Sequence, residues 1–171
     1  MMGLSGGVRR ACTIAGVLAV AMVLAACAKS QLPPKEYGVG SVGSAAPGST
    51  QDFTSNVGDL VHFEVDSSSL TAEAQGILQK QAIWLNQYPQ YTVTIEGHAD
   101  ERGTREYNIA LGARRATAVR GFLSQQGVSA SRIRTISYGK ERPIAVCDDI
   151  SCWSQNRRAQ TLLNNGAVAS Y

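Results

Sequence analysis

The sequence predicts an α/β domain, a two-layer sandwich in which a small mixed β-sheet carries helices packed on one face. Three observations lead there. Residues 60–66 and 91–96 alternate apolar with polar side chains, Val61, Phe63 and Val65 in the first run and Val93 and Ile95 in the second, the period of a half-buried strand. Each run is followed by a stretch, 72–87 and then 105–125, whose apolar residues recur at the helical period. A third apolar run, Ile133 to Tyr138, completes a strand–helix–strand–helix–strand order, which a sheet covered by helices on one face explains.

The chain of 171 residues is long enough for one domain with tails. Its formal charge of +3 comes from 16 Lys and Arg against 13 Asp and Glu, too near balance for wholesale binding of a nucleic-acid backbone. Arg9 and Arg10 precede an uncharged run of small and apolar residues, Ala11 to Ala26. A basic start, a short apolar stretch and small residues at its end make residues 1–26 an export signal; a retained membrane anchor is the alternative. Residues 27–56 are rich in Gly, Pro and Ser and lack the apolar side chains to fold, so they read as a flexible tether leading to a domain at 57–171.

Within that domain the first strand, 60–66, ends at the turn Ser67-Ser68-Ser69. The helix 72–87 has Thr71 as its cap, Glu73 in the first turn where the helix dipole favours an acid, and Ala74, Ile77, Leu78, Gln81, Trp84 and Leu85 as its buried stripe. Pro89 removes a backbone donor and stops it after Tyr88. The helix 105–125 places Tyr107, Leu111, Arg114 or Arg115, Ala118 and Phe122 on one side, and Gly127 ends it where positive φ is least costly. After strand 133–138 comes a loop holding Cys147 and Cys152, then a weaker strand or short helix over 157–163 and a frayed end at 164–171.

Chemistry concentrates where the second strand meets its helix. Asp100 lies on the polar loop Gly97 to Gly103, and Asn108 and Arg115 stand seven residues apart on one helical face. Asp100 can hold an ammonium, Arg115 can clamp a carboxylate with two parallel N–H donors, and Asn108 can donate and accept once each. A small zwitterion would meet both charges; an internal Asp–Arg ion pair fixing the loop to the helix is the alternative. His98 reads as structural, His62 as a surface residue, and Trp84 and Tyr107 as core. Cys147 and Cys152 read as a disulfide in an oxidising compartment, the alternative being half of a metal site that lacks its other ligands. No catalytic residue, metal or cofactor is expected.

Two resemblances extend this reading. Leu24-Ala25-Ala26-Cys27 resembles the lipobox of bacterial lipoproteins, which implies cleavage before Cys27, its acylation, and a lipid anchor. Ala28 and Lys29 follow it, where an Asp often retains such proteins in the inner membrane, so the outer membrane is implied, with the domain in the periplasm. Gly97-His98-Ala99-Asp100-Glu101-Arg102-Gly103, Glu106-Tyr107-Asn108, Leu111-Gly112, Arg114-Arg115-Ala116, Ser137 to Pro143 and Asn156-Arg157-Arg158-Ala159 resemble, in order, the OmpA-like peptidoglycan-binding domain. That family binds the peptide stem of peptidoglycan non-covalently. The resemblance implies that Asp100 takes the ammonium and Arg115 a carboxylate of diaminopimelate, with Asn108, Asp66, Leu111 and Arg157 lining the same pocket. Val65 stands where the family often has an aromatic wall. Asp100→Ala and Arg115→Ala are each expected to abolish wall binding with the fold intact. The resemblance also implies that the periplasmic β-propeller protein TolB occupies the same surface region in alternation with the wall, and other outer-membrane or Tol proteins are further candidate partners. A wall-binding tether is therefore the expected function, against a wall-cleaving enzyme or an assembly factor whose main target is TolB.

Overall fold

The computed structural model describes residues 45–165. The export signal, Cys27 and most of the tether, together with residues 166–171, lie outside the described residues. Four strands, β1 (Leu60–His62), β2 (Tyr91–His98), β3 (Ile133–Gly139) and β4 (Arg158–Asn165), form one sheet in the order β1-β4-β2-β3. β2 runs parallel to β3 and antiparallel to β4, and β4 runs antiparallel to β1, so the sheet is mixed as expected. The helices are α1 (Thr50–Asp52), extended by a π-helical turn Phe53–Val57, α2 (Ala72–Gln87), α3 (Arg105–Gln125) and α4 (Ile150–Asn156).

The core lies between the sheet and the helices. Val61, Val93, Ile95, Ile133 and Ala159 from the strands meet Ala74, Leu78, Ala82 and Leu85 of α2 and Ala116, Val119 and Leu123 of α3. Thr71 caps α2 as expected, its hydroxyl accepting from the amide of Ala74, and Thr104 does the same for α3 at the amide of Tyr107. Gly127 adopts φ 91° directly after α3. Where α3 crosses β2 the backbones of Gly97 and Gly112 touch, and a Cβ on either would enter the other's backbone or the Ser137 hydroxyl. This contact fixes the height of α3 above the sheet, and with it the place of Asn108 and Arg115.

Five expectations are corrected. The tether ends before residue 56, because α1 and its π-turn belong to the domain: Phe53 is fully buried against Trp84 at 5.0 Å, and Trp84 Nε1 donates to Asp52 at 2.8 Å. The first strand stops at His62 instead of Asp66; Phe63 still donates to the Arg157 carbonyl, but the chain then turns and Asp66 takes φ 55°. The buried face of α3 is rotated by about a residue from the expected one, to Asn108, Leu111, Gly112, Arg115, Ala116, Val119 and Leu123, because the two glycines set the closest approach. Tyr107 is accordingly 45% exposed and not part of the core. Residues 157–163, expected as a weaker strand or a short helix, supply most of β4, an interior strand between β1 and β2, and a separate helix α4 precedes it within the stretch expected as loop. Cys147 and Cys152 are joined, which settles their pairing.

Candidate functional site

The turn after β1, the loop between β2 and α3, the first turns of α3 and Arg157 just before β4 border a cavity of about 240 Å³ lined by Val65, Asp66, Asp100, Arg102, Gly103, Tyr107, Asn108, Leu111, Arg115 and Arg157. All six residues expected to line a pocket, Asp100, Arg115, Asn108, Asp66, Leu111 and Arg157, border it. Backbone geometry accounts for this gathering. α3 rises from its Thr104 cap just beyond the β2 loop, so Asn108 and Leu111 in its first two turns and Arg115 in its third point back beneath that loop. Asn108 holds the loop in place by donating its side-chain amide to the Arg102 carbonyl at 2.7 Å.

Arg115 and Asp100 are not paired with each other. Arg115 is fully buried at the floor and donates Nε to the Ser67 carbonyl at 2.8 Å, Nη1 to the His98 carbonyl at 2.7 Å and Nη2 to the Glu64 carbonyl at 3.1 Å. It therefore ties the β1–α2 connection to the end of β2, with its guanidinium 5.1 Å from the Phe63 ring. Three of its five N–H bonds are spent on backbone and two remain. Burial pushes its pKa down to about 10, against the opposing pull of Asp100, so the group remains charged at neutral pH.

Asp100 faces two other arginines. Arg102 approaches it with Nη2 at 2.6 Å from Oδ2 and Nε at 3.2 Å from Oδ1, and Arg157 Nη1 stands 3.4 Å from Oδ2 while its Nε donates to the Phe63 carbonyl. Burial raises the Asp100 pKa, but the hydrogen bonds and charge of Arg102 outweigh it and hold the carboxyl below its ordinary value. On the rim, the Tyr107 hydroxyl donates to the Asp66 carboxylate. The cavity thus has an anionic corner at Asp100, a second carboxylate at Asp66 and a cationic floor at Arg115, in a volume suited to one amino-acid side chain with both charges.

Sequence reasoning missed Arg102, Tyr107 and Trp153. Arg102 was within reach of it, since a residue two positions from an Asp on a tight loop can fold back on it, as the Arg102 amide does at 3.3 Å from Oδ1. Tyr107 was misassigned with the helical face. Nothing in the sequence placed Trp153 against Arg102, whose guanidinium lies 4.3 Å from its ring.

His98, next to the site, is structural in the sense expected. It is buried beside Tyr138, with ring centroids 5.7 Å apart, and burial together with Arg158 and Arg142 lowers its pKa to about 4. Glu96 stands 3.5 Å from Nε2, but burial and the two arginines win and the imidazole is neutral at pH 7.

Known proteins resemble this chain in sequence and in fold. The OmpA family matches residues 62–157. The peptidoglycan-associated lipoprotein of Agrobacterium fabrum is 62% identical over 154 residues, covering 88% of this chain and 87% of that one. The peptidoglycan-associated lipoprotein of Pseudomonas aeruginosa is 47% identical over 124 residues, covering 72% of this chain and 73% of its own. Among solved structures, the peptidoglycan-associated lipoprotein of Burkholderia pseudomallei superposes with a TM-score of 0.64 at 40% identity, over 68% of this chain and all of that one. The C-terminal domain of Helicobacter pylori MotB shares the fold, with a TM-score of 0.60 at 24% identity over 64% of this chain and 86% of that one.

Proposed function

The chain belongs to the OmpA family, and from that premise we propose that it is an outer-membrane lipoprotein whose periplasmic domain binds peptidoglycan non-covalently and ties the outer membrane to the wall within the Tol–Pal system. The observation that carries this reading is the cavity in which Asp100 and Arg115 both take part without neutralising each other. The free end of a diaminopimelate residue presents an ammonium and a carboxylate on one carbon. Asp100 accepts the ammonium; the two unspent N–H bonds of Arg115 and the Asn108 side chain serve the carboxylate once the cavity floor adjusts. Lysine-type stems lack that carboxylate, so selectivity arises from two-point recognition. No chemical step is involved, and the chain acts as a tether and not as an enzyme.

Three acyl groups on Cys27 would provide durable anchorage, and the stretch between Cys27 and the folded domain the reach from the membrane surface. TolB is the partner that would compete with the wall, using the rim where Val65 and Tyr107 are half exposed beside the cavity mouth. Sedimentation with purified sacculi tests the reading: the chain pellets with wall, Asp100→Ala does not, and added TolB releases the wild type. Equal pelleting of Asp100→Ala would contradict the assignment of the anionic corner.

A further inference from the structure

We propose that the Arg102 guanidinium is an internal competitor for the anionic corner of the cavity, held over Asp100 by Trp153 on the disulfide-closed segment, so that a cationic ligand enters only by displacing it. The proposal deepens the wall-binding reading and rests on it.

Asp100 has four donors around it. Oδ1 faces the amide and Nε of Arg102, and Oδ2 faces Nη2 of Arg102 and Nη1 of Arg157. A ligand ammonium therefore finds no free face and must replace one arginine. Exposure decides which. The Arg157 side chain is 8% exposed and also bound to the Phe63 carbonyl, whereas that of Arg102 is 41% exposed and can swing into solvent. Arg102 is thus a tethered copy of the charge the ligand brings, and occupancy by this copy lowers the fraction of molecules competent to bind.

Its position is set from outside the cavity. The Arg102 guanidinium lies 4.3 Å from the Trp153 ring, and Trp153 Nε1 donates to the Glu101 carboxylate. Trp153 follows Cys152, whose bond to Cys147 closes the preceding turn, and Asn156 pins the same segment by accepting from the amides of Ile144 and Ala145 and donating to the Ala145 carbonyl. On the opposite side Lys140 Nζ holds the carbonyls of Glu101 and Gly103 at 3.1 and 2.7 Å. Those bonds hold the backbone of the loop, and the indole supports the exposed Arg102 side chain. Trp153 is then a positioning residue, acting on the ligand through Arg102.

Isothermal titration of the full chain with a diaminopimelate tripeptide tests this. Arg102→Gln tightens binding about five- to tenfold, the gain from releasing a well-populated competing contact. Trp153→Ala captures part of that gain, Trp153→Phe restores the wild-type value, and adding Trp153→Ala to Arg102→Gln changes nothing more. Unchanged or weaker binding by Arg102→Gln, with the wild type binding, overturns the competitor and leaves the wall reading standing. A ligand-free measurement decides independently. Among Arg102, Arg157 and Arg115, which all face Asp100, only Arg102 is released by Trp153→Ala, so the Asp100 carboxyl titrates at higher pH in that variant. An unmoved Asp100 titration overturns the proposal even if the tripeptide binds nothing, the outcome that would defeat the wall reading itself.

Discussion

Replacing Arg115 by Met separates what this side chain does for the fold from what it does for a ligand. The substitution keeps the apolar stem and removes the donors to the carbonyls of Glu64, Ser67 and His98. Hydrogen bonds from a charged donor contribute about 1.5–3 kcal/mol each, so three are worth roughly 5–9 kcal/mol in favour of the arginine. Against this stands the cost of burying its charge. The fall of the guanidinium pKa to about 10 corresponds to about 3 kcal/mol at 1.36 kcal/mol per pKa unit. The bonds win, and Arg115→Met is expected to lose about 2–6 kcal/mol, a large share of the 5–15 kcal/mol typical of a domain. This revises the sequence-based expectation that Arg115→Ala leaves the fold intact. Urea unfolding followed by tryptophan fluorescence measures the loss. A variant within about 1 kcal/mol of wild type would show that the three carbonyls are satisfied without the guanidinium, and would refute the reasoning.

Two further outcomes follow from the geometry. Phe53→Ala, in a segment whose composition resembles a linker, is expected to cost about 3–5 kcal/mol because the ring is fully buried against Trp84; the same urea titration checks it, and a negligible loss would return residues 50–57 to the tether. His98 makes stability depend on pH. Its folded pKa of about 4 lies below its ordinary value of 6.5, so as pH falls below 6.5 the unfolded chain takes up a proton that the folded chain refuses until about pH 4, and stability is lost across that window. Between pH 7 and pH 5 the loss is about 2 kcal/mol. His62 shifts in the same direction, through burial first and the charge of Arg158 second, so the measurement is made in a His62→Gln background, where His98→Asn should flatten the profile.

The fold was legible wherever one periodic signal ruled. The caps at Thr71 and the Gly127 terminus followed from local chemistry and hold. β4 was hard to read because it is flanked by two strands and begins at Arg158, directly after Arg157, and both charges are buried by tertiary partners: Arg157 by Asp100 and the Phe63 carbonyl, Arg158 by the Arg142 carbonyl and the nearby Glu96. Local pattern carries no record of such partners. Likewise Phe53 sits in a polar, glycine-rich stretch and is ordered by Trp84, thirty-one positions away. For the site, spacing alone brought Asp100, Asn108 and Arg115 to one junction. The partition of charges within it was not legible, since whether Asp100 pairs with Arg115, Arg102 or Arg157 depends on how deep each guanidinium lies.

The most direct test of the account is a titration of the chain with two tripeptides that differ only in their third residue, diaminopimelate or lysine, read by amide and Asp100 carboxyl chemical shifts. The account predicts saturable binding of the diaminopimelate peptide, with shifts at Asp100, Asn108 and the loop Gly97–Gly103, and binding of the lysine peptide weaker by at least tenfold. Equal affinity for both peptides, or shifts that bypass these residues, would contradict it.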